Sequence, residues 1–141
     1  MDKRFNIRVY GICIQDGRLL INEEFIRGRN VYKFPGGGLD WGEWTHDCLK
    51  REWKEELNVN IEVLDHFYTT HFFQDSAFDT SQVISIYYLV KADLPEVIVN
   101  HVPNERTFWM NMSDVSADTF TLTIDKVVGG MLKDRFEAIP Y

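Results

Sequence analysis

The segment 44–57 most constrains this chain, because its apolar and acidic positions separate at the helical period. At about 100° per residue, Leu49, Trp53 and Leu57 recur at four-residue steps on one face, while Glu52, Glu55 and Glu56 fall within an adjoining arc of about 100°. One helix must therefore bury a stripe and hold three carboxylates beside it. Just upstream, Pro35 and the glycines Gly36, Gly37 and Gly38 end a short β-forming run at 31–34 and leave backbone bare enough for close approach.

The flanks read as strands. Phe5, Ile7, Val9, Ile12 and Ile14 are mostly β-formers, and the turn-forming residues 15–18 precede Leu19, Leu20 and Ile21, which predicts a hairpin. Segments 59–71 and 83–91 are further strands, joined by a polar, aromatic-flanked connection at 72–82. Loops of this length between strands are often functional, so the connection is a candidate substrate loop. A short strand is expected at 108–110. Helical spacing returns at 124–136, although the paired Gly129 and Gly130 weaken that helix. Strands on both sides of a central helix, then a closing helix, predict an α/β (α+β) fold, a mixed sheet with helices on its faces. No linker or repeat interrupts the 141 residues, so one domain over 1–141 is expected.

Charge limits the partners. A formal charge of -7 argues against long nucleic acid, whose affinity comes from lysines and arginines displacing counterions. A small anionic substrate would need a metal or local basic groups to reach an acidic site. Three neighbouring glutamates repel one another, and near a helix C-terminus the helix dipole disfavours them further, so a compensating cation is expected. Hard oxygen donors suit Mg2+, with Mn2+ the alternative. Cys13 and Cys48 form no disulfide or zinc pattern, and the N-terminal stretch is broken by Arg8, Gln15 and Asp16. The longest near-apolar run, 83–90, is far short of the ~20 residues of a spanning helix. A cytoplasmic protein without membrane contact is the expectation, and a homodimer is left open.

The spacing carries a resemblance. Gly, five residues, Glu, seven residues, Arg-Glu, an apolar residue, one more residue, then Glu-Glu resembles the box of the Nudix hydrolase family, with Gly37, Glu43, Arg51, Glu52, Trp53, Glu55, Glu56 and Val59 in register. One position departs: Asn58 stands where the family has glycine, and asparagine is the next-best residue for a left-handed helix stop. The resemblance implies a Nudix-like α/β/α sandwich with a mixed β-sheet, and hydrolysis of a phosphoanhydride bond in a nucleoside triphosphate or a nucleoside diphosphate linked to another moiety.

The same resemblance implies the roles. Glu52, Glu55 and Glu56 would hold the metal with a backbone carbonyl of Gly36 or Gly37, Glu43 would lie nearby, and Arg51 would orient a glutamate by charge-assisted hydrogen bonds. Water would attack phosphorus. Glu56 is the first choice of general base, with Glu105 or Glu96 as alternatives. Lys33 and Arg27 would meet substrate phosphates or simply sit at the surface. Phe72 and Phe73, with Trp41, Trp44, Tyr68 and Phe78, would stack a base or pack in the core. His71 would contact phosphate, act as an acid, or be structural. Two other functions compete: a catalytically silent ligand-sensing module on the same fold, and an RNA-end pyrophosphohydrolase. The subfamily marks expected downstream of the box are absent near Asp75 and Ser76, leaving the substrate open.

Overall fold

The structure, a computed structural model, describes residues 3–135. Along the chain it forms β1 (Phe5–Ile12), β2 (Ile14–Gln15), β3 (Arg18–Ile26), β4 (Arg29–Lys33), β5 (Gly36–Gly38) and α1 (Thr45–Leu57). Then follow β6 (Glu62–Thr69), β7 (Gln82–Lys91), β8 (Glu105–Asn111), two single 3-10 turns at Met112–Asp114 and Ala117–Thr119, and α2 (Thr123–Arg135). The helix expected at 124–136 is thus present, with Phe136 outside the described residues.

One sheet has the order β5-β1-β7-β6 and is mixed, with β1 and β7 parallel and the other pairs antiparallel. In the second sheet β3 is central, flanked by β8 on one edge and by β2 and β4 on the other. The predicted hairpin is shorter than its sequence suggests. Of the expected first arm, only β2 pairs with β3, through Ile14↔Leu19 and Gln15↔Arg18, while β1 pairs with β5 and β7. Residues 9–14 are all buried, so the alternation that would mark one face disappears where the chain passes from one sheet to the other.

Alternation along β1 and β7 divides the interior into two apolar clusters. Val9 and Val90 join Cys48, Leu49, Trp53 and Leu57 of α1. Tyr10, Ile12, Tyr87 and Leu89 join Phe34, Phe120 and the Ile124, Val128 and Leu132 stripe of α2. The helices therefore cover opposite faces of the mixed sheet. Trp53 is fully buried, and its indole N–H donates to the Pro35 carbonyl at 3.2 Å. Its bulk also requires a glycine in β1, since a Cβ at Gly11 would lie 2.7 Å from the Trp53 ring. No helix among the described residues is long and apolar enough to cross a membrane.

The two glycines that weakened the second helix in sequence terms behave differently in it. A Cβ at Gly129 would fall 2.6 Å from the Phe120 ring and 2.8 Å from the Ser116 carbonyl, whereas one at Gly130 would meet only the Ala117 methyl at 3.9 Å. Close packing selects the first glycine; only helix propensity acts on the second. Gly129→Ala is expected to lower stability by about 1–3 kcal/mol through overpacking, less whatever helix propensity returns. Gly130→Ala should raise it by up to about 1 kcal/mol. Urea melts of both variants check the opposite signs.

Candidate active site

The acidic helix is held at both ends by local chemistry. Asn58 closes α1 in the left-handed conformation, φ 53° and ψ 43°, with its N–H bonded to the Lys54 carbonyl at 3.1 Å. The loop after β7 returns over this end, where the His101 N–H donates to the Glu56 carbonyl at 2.7 Å.

Arg51 ties the helix to the connection before it. Its guanidinium grips both oxygens of Glu43 at 2.7 and 2.9 Å, donates to Glu52 Oε1 at 2.9 Å and to the Gly38 carbonyl at 3.0 Å, and reaches Glu55 at 3.4 Å. This fork holds the Glu43 carboxyl at a pKa of about 2, the Arg51 hydrogen bonds being the largest cause. Glu52 is also fixed by what glycine omits. A Cβ at Gly37 would lie 2.3 Å from the Glu52 carboxyl carbon, so the bare backbone of β5 is the surface on which that carboxylate rests. Glu55 remains half exposed.

The other acidic groups come from the second sheet. Glu105 opens β8 directly opposite Glu24 in β3, and Lys33 from β4 reaches Glu24 at 2.8 Å and Glu105 at 3.9 Å. Glu56, buried at the end of α1, faces this group. Burial, then the charge of Glu105, raises its pKa to about 8, against the opposing effect of Lys33. Glu105 is raised as well, by burial first, and its Oε2 is buried without a hydrogen-bond partner. Burial alone would favour the neutral amine of Lys33, but the carboxylates of Glu24 and Glu105 hold it as the ammonium. Among the described residues no three His, Cys, Asp or Glu side chains converge closely enough to hold a metal ion as they stand.

Beside these carboxylates opens a cleft of about 500 Å³. Its floor is β1, β3 and β4, through Arg8, Tyr10, Glu24 and Lys33; the start of α2 closes one side and residues 74–79 of the long connection form the other. Arg27, in the tight turn between β3 and β4, lines the cleft and donates to the Phe78 carbonyl, while Arg29 lies 5.7 Å from the Phe78 ring centroid. At the inner end Tyr87 donates to Asp125 Oδ1 at 2.5 Å, and burial raises the Asp125 pKa to about 6.

The structure thus brings Arg51, Glu52, Glu55, Glu56, Glu105, Gly36 and Gly37 into one neighbourhood and sets Lys33 and Arg27 in the adjoining cleft. Phe72, Phe73 and His71 do not line it. Phe72 packs against the α2-side cluster, Phe73 is exposed, and His71 Nδ1 is 2.9 Å from the Tyr68 hydroxyl. Glu96 is held by Arg18 at 2.7 and 2.9 Å, at the far end of β3 from Glu24 and Glu105. Sequence reading passed over Arg8, Glu24 and Asp125. The hint for Arg8 was a charged residue amid an apolar alternating strand.

These features define a class: a small α+β fold in which an Arg-tied acidic helix meets a cleft at the junction of two sheets. The family model for the NUDIX domain matches residues 3–128, and the chain belongs to that family. Among curated proteins it is similar to an RNA pyrophosphohydrolase of Sulfurovum sp. (strain NBC37-1), 48% identical over 40 residues. That match spans 28% of this chain and about a quarter, 26%, of the relative's length. Solved structures share the fold. A MutT protein from Methanosarcina mazei Go1 superposes with a TM-score of 0.74 at 17% identity, covering 99% of both chains. A MutT NUDIX hydrolase from Burkholderia pseudomallei gives 0.72 at 18%, covering 91% of this chain and 97% of that one. The E. coli ORF135 protein gives 0.73 at 17%, covering 98% and 95%.

Two expectations follow from the electrostatics. In Arg51→Gln the carboxyl carbon of Glu43, followed by NMR, should titrate upward from about 2 toward the ordinary 4.5. The second concerns Asp125, whose folded pKa lies above its unfolded value near 3.8. Its penalty is absent below about pH 4, grows as pH rises to about 6 and is full above that, reaching about 3 kcal/mol at most. Relative to wild type, Asp125→Asn should therefore gain stability between pH 4 and pH 7, read as a difference between two denaturation series.

Proposed function

We propose that this chain hydrolyses a phosphoanhydride bond in a nucleoside triphosphate, or in a nucleoside diphosphate linked to another group, with Mg2+ or Mn2+ as cofactor. What carries the reading is the buried, unpartnered Oε2 of Glu105 amid Glu24, Glu52 and Glu56, which outnumber the lysine among them. Such a group fits a hard divalent cation, which seeks oxygen donors and keeps some of its waters. Glu52, Glu55 and Glu56 would hold it, with a carbonyl of Gly36 or Gly37; the side chains would turn toward it from the positions described above. A cation bound there would polarise phosphoryl oxygens and acidify the attacking water.

The remaining work falls to the chain. Glu56, ionised once a cation lies beside it, would accept the proton of the attacking water, and Glu105 is the alternative base. Arg51 keeps Glu52 against β5 and fixes the glutamates relative to the cleft. Lys33 offsets the negative charge where substrate phosphates approach. The nucleoside or its linked group occupies the cleft, whose wall at 74–79 is pinned by Arg27 and Arg29. Free Cys13 and Cys48, both buried, accord with a cytoplasmic location in the same reading.

An RNA 5′ end is the second substrate class, favoured by the 40-residue likeness to the Sulfurovum RNA pyrophosphohydrolase. The net charge of -7 weighs toward the smaller substrate.

A panel of nucleoside triphosphates, nucleotide sugars, dinucleotides and a 5′-triphosphorylated oligoribonucleotide, read by 31P NMR with Mg2+, tests the proposal. Turnover should vanish with EDTA. Glu56→Gln should lower it by about 10²–10⁴-fold without unfolding the chain. Mn2+ binding followed by electron paramagnetic resonance should weaken in Glu52→Gln whether or not a substrate is found. A wild-type chain that binds no Mn2+ and cleaves nothing in the panel would return the fold to a ligand-sensing role.

A further inference from the structure

We propose that Arg8 grips the phosphate chain of the substrate, at the seam between the cleft and the glutamates of α1. The inference rests on the hydrolase reading above and adds a binding residue that lies outside the acidic helix and its glycine loop.

Strand alternation aims it there. Asn6, Arg8 and Tyr10 share the β1 face that lines the cleft, whereas Val9 between them belongs to the cluster under α1. Register then places Arg8 opposite Gly38. A Cβ on that glycine would lie 3.6 Å from Arg8 Nη1, so the guanidinium extends over bare backbone where any larger residue would project toward it. Gly38 is the residue whose carbonyl Arg51 holds, and its neighbour Gly37 carries the Glu52 carboxylate. Arg8 therefore stands one strand position from the proposed metal ligands while opening into the cleft.

Its bonding leaves the fork free. Arg8 Nε donates to the Tyr10 hydroxyl at 2.7 Å, and no carboxylate among the described residues lies within 4.0 Å of it. The other guanidinium nitrogens have no acceptor among the described residues. Arg4, Arg18, Arg51 and Arg106 are all paired to carboxylates, and in the cleft Lys33 is held by Glu24 and Arg27 by the Phe78 carbonyl. A half-buried guanidinium with a neutral partner on one edge has its planar pair of N–H groups set for two oxygens of one anion. A phosphate that links a cleft-bound group to a cation at the glutamates would have to pass this point. The alternative is that Arg8 merely tempers the field of Glu24 and Glu52, a role that would act on metal affinity.

The two roles separate by ligand. Methylenediphosphonate, a diphosphate analogue with a non-hydrolysable bridge, is titrated calorimetrically into the Mg2+-loaded full-length protein, and Mn2+ binding is measured alongside. Arg8→Ala should weaken diphosphonate binding by about 10- to 100-fold, the scale of a lost charged hydrogen bond, and leave Mn2+ affinity unchanged. Arg8→Lys keeps the charge without the fork, should bind several-fold more weakly than wild type, and carries the test if the alanine variant does not fold. Wild-type diphosphonate affinity in either folded variant would overturn the assignment, as would a shift of Mn2+ affinity in Arg8→Ala, in either direction, as large as the diphosphonate change. A wild-type protein that hydrolyses nucleotides while Arg8→Ala keeps its KM would remove Arg8 alone. A wild-type protein that binds neither Mn2+ nor diphosphonate would remove the hydrolase reading and this assignment with it.

Discussion

The closeness of bare backbone at 36–38 to its neighbours on two sides sets the rest of the structure. A Cβ at Gly36 would meet the Val9 carbonyl at 2.1 Å, and one at Gly37 would meet the Glu52 carboxyl at 2.3 Å. The strip is thus pressed between β1 and α1 at a separation that a single added methyl group would break. Trp53, the next residue of the helix, repeats the device on Gly11. Close packing of this kind fixes the helix on the sheet, and Arg51 locks the strip to the helix by bonding Gly38, Glu43 and Glu52 together.

That arrangement concentrates negative charge where little water reaches. The guanidinium of Arg51 satisfies Glu43 and one oxygen of Glu52 from the outside, and Lys33 approaches from the cleft, yet Glu56 and Glu105 face each other with their ionisation made unfavourable by burial. Carboxyls buried in this way keep their protons to higher pH than exposed ones, and a cation beside them would favour the ionised form. The same geometry leaves the cleft mixed in sign, with Arg8, Arg27, Arg29 and Lys33 against Glu24, Asp75, Asp79 and Asp125. A substrate carrying both phosphates and hydrogen-bonding groups suits such a lining better than a uniformly anionic polymer does.

Much of this was legible in the residues. The 3.6 period separated Leu49, Trp53 and Leu57 from the glutamates, and the structure buries the three apolar side chains beneath α1. Asparagine at 58 announced a left-handed stop, and β-forming runs located β4, β6, β7 and β8 to within a few residues. The hairpin is shorter than the β-forming run implies, because pairing between sheets leaves no mark on alternation: residues 9–14 are all buried. The Gly129-Gly130 pair argued against a helix on propensity alone, whereas in the fold one of the two is required by the Phe120 ring.

The acidic helix, its glycine approach and its family follow from residue order alone, because they depend on spacing within about 23 consecutive residues, where local geometry follows from the order of the side chains. Which distant groups join them depends on how the sheets assemble. Glu24, Lys33 and Glu105 meet through strand register across three separate strands, Arg8 gains its place by lying opposite a glycine, and the loop at 72–82 offers residues 74–79 to the cleft while Phe72 and Phe73 turn elsewhere. Long-range pairing sets those positions, and no periodicity within one segment encodes the register of another.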